Sequence, residues 1–220
     1  DVLGQLLVFR THHSVVFNNE VHGWQSNGIA VLGGCHHIAV VRNLVYDGNK
    51  NDGIAFHDSN WLNPVIYVGS HHWAVDNVVI GNSGIEECMD LAGDGWHNGL
   101  EDPQDVKYIN NRLQCKAVLP STRSGSCNRP FNMAHTWKYV WIIGNIGANG
   151  KKEGLYINDR TFNPHVLDYA QISSNIFFGN NERAIMTGTK STKYKHNTII
   201  RTGDVRSEER RVGKECRSRW

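Results

Sequence analysis

One residue recurs in one context, and that recurrence limits the folds open to this chain more than any other feature. Asn43 lies in "AVVRNLVYDG", between the apolar runs Ile38–Val41 and Leu44–Tyr46. A buried amide without partners costs about 1–3 kcal/mol, so a lone Asn there would be a defect in a buried strand. It is not alone. The same context surrounds Asn19 ("VVFNNEVHG"), Asn77 ("WAVDNVVIG"), Asn111 ("VKYINNRLQC"), Asn145 ("VWIIGNIGANG"), Asn175 ("AQISSNIFFG") and Asn197 ("YKHNTIIRTG"). Successive Asn residues are 24, 34, 34, 34, 30 and 22 residues apart. Periods of this order mark stacked repeats. In most units a small residue and an aliphatic one follow the Asn: Gly28-Ile29, Gly53-Ile54, Gly154-Leu155 and Ala184-Ile185.

The runs are short, β-branched and aromatic, and Gly, Asn and Asp break them, which is strand chemistry. No helical period persists. The repeat is too long for hexapeptide coils and suits three short strands per turn. That architecture is all-β: a right-handed parallel β-helix whose coils stack about 4.8 Å apart, so seven Asn-bearing turns give a rod about 30 Å long. Each Asn then occupies a tight turn between the second and third strands. Stacking places the seven amides in one column, where each can donate to one neighbour and accept from the other.

With its "HHIAVVRNLVYDGNKNDGIAF" pattern, the chain resembles the right-handed β-helix repeat family of the pectin-lyase-like superfamily. The resemblance covers nearly all of residues 10–205. It implies an architecture rather than an activity. The superfamily holds polysaccharide lyases, glycoside hydrolases, pectin esterases, phage tailspikes and non-catalytic surface proteins, so function must come from a site.

Residues 1–205 are read as one domain, a fragment truncated at both ends, because the chain opens with Asp1 in mid-pattern. Residues 206–220, "RSEERRVGKECRSRW", lack the repeat and resemble the translation of a synthetic sequencing adapter; they are read as a non-native tail. Without its six basic and three acidic residues the chain keeps 17 basic and 18 acidic ones. No nucleic-acid partner is therefore expected. No apolar run approaches the roughly 20 residues of a membrane span. A monomer outside the cytoplasm, extracellular or periplasmic, with a polysaccharide as partner, is the expected setting. Cys115 and Cys127 bracket the Ser-rich segment "KAVLPSTRSGS". A loop-closing disulfide fits an exported protein. Four free thiols (Cys35, Cys88, Cys115, Cys127) fit the spacing equally well.

Strand alternation points Ile54 and Phe56 inward, and Gly53, Ala55 and His57 outward. The equivalent outward sets include Gly28/Ala30/Leu32, Cys88/Asp90/Ala92, Asn132/Ala134, Gly154/Tyr156/Asn158 and Ala184/Met186. Small residues there leave a shallow trough, or simply suit a flat exposed sheet. The run "EECMD" gives Glu86, Glu87 and Asp90 an acid-acid-x-x-acid spacing. It resembles the calcium-binding acidic cluster of some pectate-lyase β-helices. There Asp is usual and a Gly follows the pair, whereas here two acids are Glu and Cys88 follows. The resemblance implies Ca2+, with Asp52 adding a ligand from the preceding coil, since hard cations need several carboxylate oxygens at one point. A solvated acidic loop is the plainer alternative.

Lyase-type attack on an acidic glycan needs a base and a cation facing the carboxylate. Lys151, Lys152, Arg160 and Arg129 are the basic candidates in flanking loops, with His22, His57, His135 and Asp90 nearest the trough. A glycoside hydrolase would instead pair Asp90 with a neighbouring carboxylate among Glu86, Glu87, Asp94 and Asp159. A non-catalytic carbohydrate-binding solenoid is the third reading. Trp24, Trp61, Trp96, Tyr156 and Asn158 are the sugar-contact candidates, because aromatic faces stack on sugar rings. Trp73, Trp137 and Trp141 read as core or coil-capping aromatics. The pairs "THHS", "CHHI" and "SHHW" recur in register, each six residues before its Asn at His13, His37 and His71. They suit either a stack of turn residues or a transition-metal site, as imidazole is the commonest ligand.

Overall fold

The computed structural model describes residues 2–57, 70–81, 85–92, 104–115, 127–134, 138–158, 169–180, 182–187 and 192–200. These form three parallel sheets and no helix. Each turn of the chain gives one strand to each sheet. In the third turn these are Leu44–Tyr46 (sheet I), Ile54–His57 (sheet II) and His72–Val75 (sheet III). Sheet I carries eight strands, and sheets II and III carry seven each. This is a right-handed parallel β-helix, the hand that parallel crossovers take.

The core is a set of vertical stacks. Sheet I stacks Val21, Val45, Val79 and Leu113 in register. Sheet II stacks Ile29, Ile54, Met89, Phe131 and Leu155. Sheet III contributes Ile38, Val40, Ala74, Val106, Tyr108, Val140 and Ile142, all buried. Like residues meet like because a parallel register repeats the in-out alternation from coil to coil.

The Asn column runs through this core. Each Asn Nδ2 donates to the next Oδ1, from Asn19 to Asn197, at 2.9–3.0 Å. The same oxygen accepts the backbone N–H of the Asn one coil earlier. The second Nδ2 proton goes to a main-chain carbonyl, such as Val40 O from Asn77. Asn77, Asn111, Asn145 and Asn175 are fully buried with all these groups paired, which removes the cost that made an isolated Asn43 improbable.

Three expectations change. Trp24 is fully buried, its indole filling the space over Gly48, where a Cβ would lie 1.9 Å from the ring; it has no face to offer a sugar. Trp73 and Trp141 are not core. They stand half-buried on the outer face of sheet III, with the Lys107 ammonium over both rings at 5.7 and 5.1 Å. Cys88 points into the core rather than outward. The register explains this: Asn51 faces Ile85 but Ile54 faces Met89, so the strand Ile85–Ala92 holds one extra residue. Such a bulge puts two consecutive side chains, here Cys88 and Met89, on the same face. Cys115 and Cys127 form a disulfide, while Cys35 and Cys88 are buried free thiols.

Candidate functional site

The outer face of sheet II carries one row across the coils: Ala30, Ala55, Asp90, Asn132, Tyr156 and Met186 face one another in register. The small Ala55 leaves room on its coil for the next outward residue, His57. The His57 Nε2 lies 2.9 Å from Asp90 Oδ2, and the Asn132 Nδ2 donates to Asp90 Oδ1 at 2.7 Å. Three consecutive coils thus supply an imidazole, a carboxylate and an amide in a chain of bonds. Asp90 is buried, whereas the His57 side chain keeps 22% of its surface exposed.

The corner leading into the sheet holds the other acids. Asn27 Oδ1 accepts the Asp52 N–H, and Asp52 Oδ1 accepts the Glu87 N–H, both at 3.2 Å. One oxygen of Asp52 therefore ties coils together as a ladder Asn does, and the other lies 3.8 Å from His57 Nε2. Glu87 faces Arg129 across the strands. The Arg129 guanidinium binds Glu87 at 3.1 Å and Glu153 at 2.7 Å and lies 4.2 Å above the Tyr156 ring. All four side chains are buried.

The charges do not balance. Oxygens of Asp52, Glu86 and Glu87 lie within 4.8 Å of one another, as do ligand atoms of Asp52, His57 and Asp90. Against these acids stand Arg129 and His57. Burial, then the charges of Asp90 and Glu87, raises the Asp52 pKa well above the carboxylate range. Burial and Asp90 push Glu87 up to about 7, although Arg129 pulls it down. Burial works against the Arg129 charge, yet its bonds to Glu153 and Glu87 hold its pKa up. Beneath the sheet, the buried Tyr108 hydroxyl has no hydrogen-bond partner among the described residues, and burial with the Asp90 charge raises its pKa.

Of the residues expected from sequence, the fold gathers Asp52, Glu86, Glu87, Asp90, His57, Arg129 and Tyr156. The Arg129 guanidinium and the Tyr156 ring are spent on each other and on the two glutamates, so neither presents a bare surface to a sugar. Lys151 and Lys152 stand at the same corner, two coils beyond Asp52's neighbour Ile85, with their N–H groups on Cys127 O and Asn128 O. The Lys151 side chain is exposed. Asn158 ends the strand Glu153–Asn158. His22 stacks on Tyr46 on sheet I, away from the row. Trp61, Asp94, Trp96, His135, Trp137, Asp159, Arg160 and residues 206–220 lie outside the described residues. Sequence reasoning gave no role to Glu153 or Asn132. Their signal was their place: Asn132 is in the same outward row as Asp90, and Glu153 opens its strand as Glu87 and Arg129 do near the start of theirs.

The fold defines the class, a parallel β-helix repeat protein. Solved structures of the periplasmic alginate epimerase AlgG match it with a TM-score of 0.59, and a point mutant of that enzyme matches with 0.60. Both are 15% identical over 91% of this chain and 43% of theirs. The chain thus spans less than half the length of those structures, and at that identity the likeness carries the fold alone. No protein-family model matches the sequence, and no curated protein matches it either.

Proposed function

We propose that this β-helix acts on an acidic polysaccharide outside the cytoplasm by removing the proton beside a uronate carboxylate. The observation that carries the reading is the His57–Asp90–Asn132 chain, with its imidazole partly open above a buried carboxylate. Asn132 orients Asp90, and Asp90 holds the His57 imidazole through Nε2; a carboxylate that fixes an imidazole also stabilises the cation formed when it takes a proton. Lys151 and Lys152, three coils and so about 14 Å beyond His57 by coil spacing, are the cations to meet carboxylates of other uronates along the bound chain. Inverting hydrolysis is less well supported. Carboxyl oxygens of Asp52 and Asp90 lie within 4.8 Å, whereas an inverting pair needs about 6.5–9.5 Å to admit water and a retaining pair about 5–5.5 Å.

Loss of that proton has two exits. Elimination cleaves the chain, as in a lyase. Return of a proton to the opposite face gives an epimer, and the likeness to an alginate epimerase favours adding this second exit. We extend the proposal to Ca2+ held by Asp52, Glu86, Glu87 and Asp90. The donors are all oxygen, as a hard cation requires, and its charge would offset the repulsion that raises the pKa of Asp52 and Glu87.

Incubation of the protein with alginate or pectate in D2O tests both exits. Deuterium entering the sugar reports proton removal, and ultraviolet absorbance of unsaturated ends reports cleavage. His57→Gln should abolish both signals without lowering the thermal midpoint. If neither polyuronate exchanges or cleaves, with or without millimolar calcium, catalysis is refuted and the non-catalytic carbohydrate-binding reading takes its place.

A further inference from the structure

The outer face of sheet III holds a second cluster, unconnected with the acids of sheet II. His12 and His13 open one strand, and His36 and His37 open the strand paired with it. Consecutive strand residues normally point to opposite faces. Here His13, His37 and His71 adopt φ of 51°, 55° and 56°, a left-handed conformation that breaks the alternation. Each pair therefore turns both imidazoles to one side. The His12 and His13 Nδ1 atoms lie 2.9 Å apart, and those of His36 and His37 lie 3.1 Å apart. Across coils the rings stack, His12 on His36 at 4.9 Å and His13 on His37 at 4.6 Å. His71 closes the column 4.6 Å from His37, fixed by its own Nδ1 contact with Asp105 at 3.0 Å.

Two lone pairs cannot face each other at such distances, so each pair either shares one ring's Nδ1 proton in a hydrogen bond or binds a metal ion between its nitrogens. The separation also suits a metal. Two bonds of about 2.0–2.1 Å meeting at a right angle set their nitrogens about 2.9 Å apart, against about 3.3 Å at the tetrahedral angle. Right-angled nitrogen coordination is the preference of copper(II) and nickel(II), and copper(II) heads the affinity order for such ligands.

We propose that His12–His13 and His36–His37 form a chelating site for a divalent transition-metal ion, copper(II) foremost. The ring that donates its Nδ1 proton moves it to Nε2, both Nδ1 lone pairs then bind the ion, and the neutral pair releases no proton. Neighbouring pairs stand one coil apart. Two divalent ions that close repel strongly, so the array holds one ion, chelated by the two nitrogens of one pair with solvent filling the rest of its shell, since the rings of neighbouring pairs stack 4.6–4.9 Å apart.

The test is copper(II) titration of the full chain by calorimetry, with electron paramagnetic resonance of the complex. One ion per chain, with nitrogen hyperfine structure, is expected. His13→Asn combined with His37→Asn should weaken binding at least tenfold. Asn tolerates the left-handed backbone, so both coils should keep their circular dichroism. His22→Asn, which removes an imidazole on sheet I, should leave affinity unchanged. Binding should weaken in acid, since protons compete with the metal for the nitrogens. Excess calcium should displace nothing. The proposal is overturned if the double variant binds as the parent does, if His22→Asn weakens binding equally, or if the spectrum lacks nitrogen coupling. None of these outcomes bears on proton removal from a uronate.

Discussion

Replacing Asn111 with Ala removes one member from the middle of the Asn column, and its cost can be worked from the bonds. The side-chain oxygen accepts the Asn77 N–H and Nδ2, both at 3.0 Å. The Nδ2 donates to Asn145 Oδ1 at 2.9 Å and to Ala74 O at 2.8 Å. Two partners keep a second bond: Asn77 Nδ2 retains Val40 O, and Asn145 Oδ1 retains the Asn111 N–H. Two do not keep what they had, since the Asn77 N–H loses its acceptor and Ala74 O its amide donor. Water cannot substitute where Asn77 and Asn111 are fully buried. At about 1–3 kcal/mol for each buried group left unpaired, the loss is about 2–6 kcal/mol. That is a large share of the roughly 5–15 kcal/mol that keeps a domain folded. The control is Asn49→Ala, an exposed turn position, where the change should stay within about 0.5 kcal/mol. Urea titration of both variants, compared at unchanged slope, measures the difference. Equal midpoints would refute the claim that the column holds the coils together.

Three further outcomes follow from the site. The folded-state pKa of Glu87, raised from 4.5 to about 7, and that of Asp52, raised in the same direction, mean that both acids prefer their proton in the fold. For Glu87 that stabilisation is full below 4.5 and is lost as pH rises through about 7, and Asp52 loses stabilisation in the same direction as pH rises. The thermal midpoint should therefore fall across that window. Glu87→Gln should flatten the fall, and millimolar calcium should restore the midpoint above it; a flat profile for the parent protein would contradict the buried cluster. Arg129→Met leaves Glu87 and Glu153 buried without their cation and should cost about 3–5 kcal/mol in urea titration, as broken buried pairs do, with a smaller loss at acid pH where Glu87 is neutral. Replacing both Cys115 and Cys127 by Ala opens a loop of 12-residue separation and should cost about 3 kcal/mol, a deficit that reductant reproduces in the parent and does not deepen in the variant.

The sequence by itself determined the coil. A buried Asn is affordable only with a like partner above and below it, so seven Asn residues in one context dictated stacking, a parallel register and three strands per turn. It also determined that Asp52, Glu86 and Glu87 approach one another, because each sits at or beside the start of its sheet II strand in adjacent coils, with Asp90 three residues beyond Glu87 in the same strand. The pairs that define the site were decided only by the tertiary structure. Asn77 and Asn111 are 34 residues apart in their column, yet Asp90 meets Asn132 42 residues on and Arg129 meets Glu153 24 residues on. Loops of unequal length at different corners shift each sheet's register separately, so no single repeat length predicts who faces whom. The same holds for orientation. One extra residue in Ile85–Ala92 turned Cys88 into the core, and left-handed residues brought His12 and His13 to the same side, both against simple alternation. Only Gly48 showed where the Trp24 ring goes. Alternation is a local rule, but bulges, turn conformations and free volume are set by the coils above and below. Side-chain direction at the site was therefore fixed by stacking rather than by the strand's own pattern.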